Sequence, residues 1–304
     1  MTEPPRVPKS LRPGSRVRVV APAGPIPSDL LDAGVALLRS WNLDVSIAPG
    51  VLDVHPGLRY LAGTDQARAD ALTEAWCDPE LDGVFCARGG YGCMRMLDLL
   101  DWDAIAATGP KVFAGSSDVT AIHHSLNTRL GMSTLFAPMV ASRAFTDDPV
   151  AAEKLRRVLF EPGSVQPITT SAAGALASGK ARGVTFGGNA SLLAAILGSR
   201  HADPPPPGSI LILEDVTEDP YRLDRIITQL ALAGWFDRVA GIALGSWTQC
   251  GDLADVRTLM TDRLAGLGVP VGWELGFGHT PGQATVPLGV EAELDADAGT
   301  LTIL

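Results

Sequence analysis

The chain has 304 residues, of which 46% are hydrophobic and 19% charged, a composition typical of a globular protein with a sizeable core. Its 24 basic and 34 acidic residues give a formal net charge of −10, and this balance argues against nucleic acid or an anionic membrane as the main partner. The sequence has no apolar leader and no run of about eighteen apolar residues, so we expect a cytoplasmic protein.

The first half alternates short apolar strands with amphipathic helices, which is the pattern of βαβ units in a mainly parallel sheet. The predicted strands are residues 17–21, 44–47, 83–87 and 111–114. Ser28 and Thr64 are predicted to cap the first two helices, and a later helix is predicted over residues 148–159.

The second half is less regular, and a stretch rich in Thr, Ser, Ala and Gly precedes it. This stretch, residues 161–179, is predicted to be a linker between domains at residues 1–160 and 180–304. An amphipathic helix is predicted over residues 221–232. The predicted strands are residues 209–213, 240–244, 290–294 and 300–303, the last two as an antiparallel pair. We therefore expect an α/β fold with an N-terminal Rossmann-like, mainly parallel sheet flanked by helices and a smaller, mixed α/β C-terminal domain.

The most informative stretch for chemistry is residues 111–126. A buried strand runs into Gly115, two serines and Asp118 follow, and an apolar helix then begins. A serine on such a turn projects its hydroxyl beyond the sheet edge, beside helix N-terminal N–H groups that can stabilise an oxyanion. The turn resembles a nucleophile elbow, although the sequence is not G-x-S-x-G. The alternative is that Ser116, Ser117 and Asp118 only cap the helix.

A nucleophilic serine needs a base, and the base needs an acceptor that orients it. His279 lies in a loop flanked by glycines, where a substrate can approach closely, but an ordinary loop histidine fits the same pattern. Glu214 closes an apolar strand, where α/β proteins keep functional groups, and it could equally pair with an arginine. His123 and His124 face different directions on one helix, so we expect no paired metal role for them.

Two glycine clusters remain, in residues 86–92 and 185–193. Gly89 and Gly90 lie between a strand and a helix, where their N–H groups can line an oxyanion or another anion. Nucleotide binding is weakly supported, because neither G-x-G-x-x-G nor the P-loop pattern is present. Asn189 begins a predicted helix, either as its cap or as a substrate contact. The four cysteines lack zinc-ligand spacing and are expected to be reduced thiols.

Taken together and in chain order, these segments resemble the LD-carboxypeptidase family, also called muramoyltetrapeptide carboxypeptidases. Each segment alone is a weak signal, but their order and spacing make the resemblance specific over nearly the whole chain. The matching segments are residues 11–22, 88–92, 115–120, 187–189, 213–216, 220–225, 276–279 and 286–289.

The resemblance implies a serine peptidase with Ser117 as nucleophile, His279 as base and Glu214 as the acceptor that orients His279. The implied oxyanion donors are the backbone N–H of Asp118 and one N–H from the turn at residues 89–90. The resemblance also implies a site formed by two α/β domains, a homodimer, and a reaction without a metal or another cofactor.

The implied activity is release of the terminal D-amino acid, typically D-Ala, from the L-centre of the diamino acid in cytosolic murein tetrapeptides, as in peptidoglycan recycling. Two other hypotheses stay open. A hydrolase similar to the microcin C self-immunity proteins would use the same triad on aminoacyl-nucleotide analogues. A non-catalytic binding protein would use Ser117 and Asp118 only as caps. Arg88 and Arg182 are candidates, by charge alone, for binding the terminal carboxylate of the substrate.

Overall fold

The computed structural model describes residues 5–164 and 166–304. The chain divides into two compact units, Met1–Val165 and Gln166–Leu304, each with its own hydrophobic core. The start of the predicted first domain, residues 1–4, and one residue of the predicted linker, residue 165, lie outside the described residues.

The first unit is built on a parallel sheet. Its strands are β1 (Arg16–Val20), β2 (Asp44–Ile47), β3 (Gly83–Cys86), β4 (Val112–Gly115) and β5 (Thr134–Phe136). They lie side by side in the order β5-β4-β3-β1-β2, and every neighbouring pair is parallel. The chain therefore winds outward from β1 in both directions. In such doubly wound sheets, ligands bind beyond the carboxyl ends of the strands, where the strand order reverses, which here is between β1 and β3.

Helices follow these strands along the chain and pack against the sheet. They are α1 (Ser28–Ser40), α2 (Asp65–Cys77), α3 (Cys93–Met96), α4 (Trp102–Thr108), α5 (Thr120–Leu130), α6 (Arg143–Thr146) and α7 (Pro149–Phe160). Thr64 caps α2 as predicted, because its hydroxyl accepts a hydrogen bond from Ala67 N. The prediction that Ser28 caps α1 is wrong. Pro27 takes the N-cap position with extended backbone and no side-chain cap, because its carbonyl accepts the first helical hydrogen bond, from Leu31 N at 3.2 Å.

The second unit holds a mixed sheet. Its strands are β6 (Gly174–Ala177), β7 (Lys180–Asn189), β8 (Ile210–Val216), β9 (Gly241–Thr248), β10 (Val271–Trp273), β12 (Glu291–Asp295) and β13 (Thr300–Ile303), while β11 (Val286–Leu288) lies between β10 and β12 along the chain. The order β13-β12-β7-β8-β9-β10-β6 is parallel from β7 to β10 and antiparallel at the other steps. Part of the predicted linker is thus a strand, β6.

The helices of the second unit pack on this sheet. They are α8 (Ala190–Ile196), α9 (Pro220–Leu232) and α10 (Leu253–Leu264). The amphipathic pattern predicted for α9 is present, with Leu223, Ile227 and Leu230 buried and Tyr221 exposed. The parallel sheet of the first unit and the mixed sheet of the second confirm the predicted α/β class. Among the described residues, no helix combines the length and apolar character needed to cross a bilayer.

Candidate active site

Ser117 lies on a sharp turn between β4 and α5. Its φ is 57°, in the left-handed region, whereas Ser116 before it is extended with φ −150°. Ser117 begins a short 3₁₀ turn, Ser117–Val119, that leads directly into α5. A left-handed conformation at a residue with a side chain is strained, and such strain gathers at functional sites when the surrounding structure enforces it. The backbone therefore singles out Ser117, rather than Ser116.

The side chains of this turn do not cap the helix that follows them. Neither the 3₁₀ turn nor α5 has a side-chain cap. The buried carboxylate of Asp118 instead faces another element, where its Oδ2 accepts a hydrogen bond of 2.7 Å from Cys93 N at the start of α3. Burial raises the pKa of Asp118, although this hydrogen bond opposes the rise. Asp118 thus joins the Ser117 turn to the start of α3, directly after the loop that follows β3.

That loop contains Gly89 and approaches Ser117 so closely that only glycine fits. A Cβ added to Gly89 would lie 2.9 Å from Ser117 Cβ and 3.0 Å from Ser117 Oγ. The carbonyl of Gly89 accepts a hydrogen bond of 3.0 Å from Gly24 N in the loop after β1. Since a trans peptide places its C=O and N–H on opposite sides, the N–H of Gly90 points away from Gly24. The first unit therefore brings Ser117, Asp118 and the predicted glycine turn together.

His123 contacts the end of β4, two residues before Ser117. Its Nε2 lies 2.9 Å from the carbonyl oxygen of Gly115, the last residue of β4, and a carbonyl only accepts, so this nitrogen carries the proton. Its ring is buried and lies near Phe113 and Phe136. Burial lowers the pKa of His123 to about 4, so the ring stays neutral at physiological pH. His123 therefore acts as a fixed donor that holds the end of β4.

In the second unit, Glu214 and His279 form a direct pair. Glu214 is fully buried near the end of β8, and its Oε2 lies 2.8 Å from His279 Nδ1. The same oxygen accepts a hydrogen bond of 3.2 Å from His279 N. Because a carboxylate oxygen accepts, Nδ1 carries the proton of this contact and Nε2 remains the basic nitrogen. Of the partners that the sequence left open for Glu214, the structure selects the histidine over an arginine.

The charge around His279 favours its protonated form. Burial by itself lowers the pKa of His279, but attraction to Glu214, their hydrogen bond and the charge of Asp215 outweigh it. The pKa of His279 therefore lies above its ordinary value near 6.5. A base with this pKa accepts a proton readily near neutral pH and becomes inactive as the pH falls.

The loop that carries His279 is fixed by close backbone packing. Leu275 N donates to Leu244 O at 3.0 Å, and Ser246 N donates to Phe277 O at 2.9 Å, so the loop follows β9. A Cβ on Gly245 would lie 2.5 Å from the Phe277 ring. The glycine on β9 therefore allows the loop to lie close to the strand, where it reaches Glu214.

Gly278 is the second glycine that this geometry requires. Its φ is +96°, and an added Cβ would lie 2.5 Å from Glu214 Oε2 and 2.8 Å from Glu214 Cγ. We expect Gly278→Ala to lower the free energy of unfolding by about 2–4 kcal/mol, because left-handed strain adds to a clash within a buried pair. The matched control is Gly268→Ala, at φ +77° with open space around it, where strain alone should amount to about 1 kcal/mol. Thermal unfolding of both variants measures the difference, and equal losses would contradict it.

Two further residues complete the cluster around Glu214. Asn189 caps α8, as one of its two predicted roles requires, because its Oδ1 accepts a hydrogen bond from Leu192 N. Its amide nitrogen also donates to Glu214 Oε1 at 3.1 Å and to Asp215 Oδ1 at 3.0 Å. Asp215 is a member of this cluster that the sequence predictions miss. The signal that could have found it is its position beside Glu214 at the same strand end.

The two arginines proposed for the terminal carboxylate lie in different settings. Arg88 is exposed beside Gly89, and its guanidinium donates to Pro25 O at 2.7 Å. Arg182 pairs with Glu291 at 3.3 Å. It lies seven residues before the end of β7, roughly 23 Å along the strand from Asn189. Arg182 is therefore near the end of β7 opposite to the end that lies beside Glu214. Arg88 remains the candidate for binding the terminal carboxylate of the substrate. Within the described residues, no cluster of three or more His, Cys, Asp or Glu side chains is placed to hold a metal ion.

Comparison with known proteins identifies the class to which these two units belong. Residues 17–137 match the LD-carboxypeptidase N-terminal domain, and residues 182–294 match the LD-carboxypeptidase C-terminal domain. Both matches describe a peptidase, and together they cover most of the chain. The chain belongs to the LD-carboxypeptidase family.

Relatives of similar length support this assignment. The chain is 56% identical to a Streptomyces coelicolor protein that carries the name carboxypeptidase, over 97% of this chain and 95% of the relative. It is 32% identical to the murein tetrapeptide carboxypeptidase of Pseudomonas aeruginosa, over 93% of this chain and 94% of that protein. Its fold matches the crystal structure of an MccF-like protein from Bacillus anthracis with a TM-score of 0.87, at 23% identity, over 98% of this chain and 99% of that one.

Proposed function

We propose that this protein is a serine-type LD-carboxypeptidase that releases the terminal D-amino acid, typically D-Ala, from cytosolic murein tetrapeptides at the L-centre of the diamino acid. The observation that carries the proposal is the contact of 2.8 Å between His279 Nδ1 and the buried Glu214, because it leaves Nε2 as a base. The left-handed turn at Ser117 supports the choice of nucleophile. Family membership and the murein tetrapeptide carboxypeptidase relative support the choice of substrate.

In the proposed reaction, His279 Nε2 takes the proton of Ser117 Oγ as Oγ attacks the carbonyl carbon of the scissile peptide bond. The oxyanion that forms accepts hydrogen bonds from the N–H of Asp118 and one N–H of the turn at residues 89–90. His279 then gives its proton to the amine nitrogen of D-Ala, which leaves, and an ester links Ser117 to the diamino acid. Water attacks the ester, His279 takes its proton, and Ser117 regains a proton as the acid is released.

The substrate is tested by incubating the purified chain with murein tetrapeptides and measuring released D-Ala and L-Ala by chiral chromatography. We expect D-Ala release from the tetrapeptide and no release of L-Ala from a matched tetrapeptide that ends in L-Ala. Parallel tetrapeptides with diaminopimelate, lysine or ornithine identify the preferred diamino acid. Cleavage of an aminoacyl-sulfamoyl nucleotide without any tetrapeptide cleavage would replace the proposal with a hydrolase similar to the microcin C self-immunity proteins. No cleavage of any of these substrates would refute the proposal.

The proposal includes a homodimer, as the family resemblance implies. Analytical ultracentrifugation of the purified chain at micromolar concentration tests it, and a sedimenting species with the mass of one chain would contradict it.

A further inference from the structure

Glu214 presents its two carboxylate oxygens to different partners. Oε2 contacts His279, whereas Oε1 accepts a hydrogen bond of 3.1 Å from the amide of Asn189. The pairing of β7 with β8 places Asn189 directly beside Glu214, so the contact follows from the register of two parallel strands. Since the carboxylate is fully buried, this amide limits the rotation of the group that orients His279.

We infer that Asn189 and Asp215 are positioning residues that hold Glu214 in the orientation His279 needs for the reaction. The inference rests on the proposed roles of Glu214 and His279. Neither residue contacts the reacting atoms in this scheme. Asn189 acts on Glu214 directly, and Asp215 acts through Asn189.

The chemistry of capping explains why this position suits asparagine. Ser, Thr, Asp and Asn all cap helices, but among them only Asn carries an acceptor together with two N–H donors. Asn189 uses the acceptor for Leu192 N, and its amide nitrogen donates to both Glu214 and Asp215. A cap alone would be served by any of the four residues, whereas bridging two carboxylates needs the amide.

Asp215 is itself anchored at the start of α8. Its Oδ2 accepts hydrogen bonds from Ser191 N at 2.8 Å and from Ser191 Oγ at 2.6 Å, and its Oδ1 accepts one from Val216 N at 2.9 Å. In a regular strand, the adjacent residues 214 and 215 would face opposite sides of the sheet. The pairing of β8 with β9 shifts register between Leu213 and Asp215, and such a bulge re-aims side chains. Both carboxylates can therefore meet one amide.

The charge of Asp215 also acts on His279. Burial, reinforced by the nearby Glu214 charge, raises the pKa of Asp215 to about 6. The ionisable groups that interact with it are Glu214 on the same strand, His279 on its loop and the Cys250 thiol after β9. Above its pKa, the negative charge of Asp215 favours protonated His279. Removing that charge should therefore lower the pKa of His279.

The test uses Asn189→Ser, which keeps a capping hydroxyl at α8 and removes the amide bridge. The matched control is Asp252→Ser, because Asp252 caps α10 through Ala254 N and has no part in the site. We expect Asn189→Ser to lower kcat on murein tetrapeptide by about 10- to 100-fold with KM changed less than about threefold, as for other partners that orient a functional side chain. The control should keep kcat within about twofold, since both variants keep a cap.

A second variant, Asp215→Asn, removes the negative charge of Asp215 and keeps a side chain of similar size and shape. We expect the acid limb of its kcat profile to move to lower pH by about 0.5 unit.

A rise in KM with kcat unchanged in Asn189→Ser would make Asn189 a substrate contact and overturn the inference. Wild-type kcat in Asn189→Ser, or an unmoved acid limb in Asp215→Asn, would also overturn it. Ser117→Ala and Glu214→Gln are assayed in parallel. If those two stay active, the proposed function itself fails. If they are inactive while Asn189→Ser is normal, only the positioning role fails.

Discussion

Replacing Ser117 by alanine is expected to lower kcat on murein tetrapeptide by a factor on the order of 10⁴ to 10⁶, because the variant lacks the oxygen that forms the acyl-enzyme in the proposed reaction. The unfolding temperature should change little, since alanine and serine bear similar strain at a φ of 57°. The measurement is D-Ala release under single-turnover and steady-state conditions. Labelling by a fluorophosphonate probe should disappear in the same variant.

Two neighbouring substitutions make this prediction specific. Ser116→Ala should retain activity, because Ser116 has ordinary extended backbone and lies outside the strained position. Ser117→Gly should be as inactive as Ser117→Ala yet more stable by about 1 kcal/mol, since glycine adopts the left-handed conformation without a steric penalty. Loss of activity in Ser116→Ala with retention in Ser117→Ala would move the nucleophile to Ser116 and refute the assignment.

Much of the fold was accessible from the sequence because its signals are local. Apolar runs that alternate with helical periods depend only on neighbouring residues, and the strands predicted at residues 44–47 and 300–303 match β2 and β13. Serine is a common cap, so the sequence predicts that Ser28 caps α1. In the structure Pro27 holds that position, because its carbonyl accepts the first helical hydrogen bond, from Leu31 N.

The candidate site was accessible only in part, because its contacts are not local. Glu214 and His279 are 65 residues apart, and nothing in either segment states that a carboxylate meets an imidazole. The family resemblance supplied that pairing. The sequence does not indicate Asp215, because alternation in a strand directs its side chain away from that of Glu214. The register shift against β9 that changes the direction of the Asp215 side chain has no clear signature in the sequence.

The turn at Ser117 has two interpretations from the sequence, a helix cap or a nucleophile. From sequence, capping and catalysis use the same residue types in the same order. In the structure, Asp118 bonds to Cys93 N, and no side chain of the turn caps the helix that follows it. The left-handed backbone at Ser117 is therefore not explained by a side-chain cap. The close approach of Gly89 to its side chain brings the backbone of that loop near the hydroxyl.

Replacing Glu214 by glutamine should lower kcat on murein tetrapeptide by a factor of about 10³ to 10⁴, if the proposed triad behaves as serine-protease triads do when they lose the charge behind the histidine. The neutral amide can present its NH₂ group to His279 Nδ1 and favour the wrong tautomer, and it no longer stabilises the imidazolium that forms during attack. The sign of the pH effect follows from the same contact. Glu214 raises the pKa of His279, and the base acts only when neutral, so removing the charge should move the acid limb of kcat/KM to lower pH.

The control for Glu214→Gln is the same chemical change at Glu291, an exposed carboxylate on β12 that pairs with Arg182 at the far end of β7. Glu291→Gln should leave both the rate and the pH profile unchanged, because an exposed ion pair contributes at most about 1 kcal/mol to stability and has no part in the proposed reaction. The residual activity of Glu214→Gln should remain sensitive to Ser117→Ala. An acid limb that stays in place or moves to higher pH in Glu214→Gln would mean that the Glu214 carboxylate does not govern the titration of the base, and the proposed triad would then have to be abandoned.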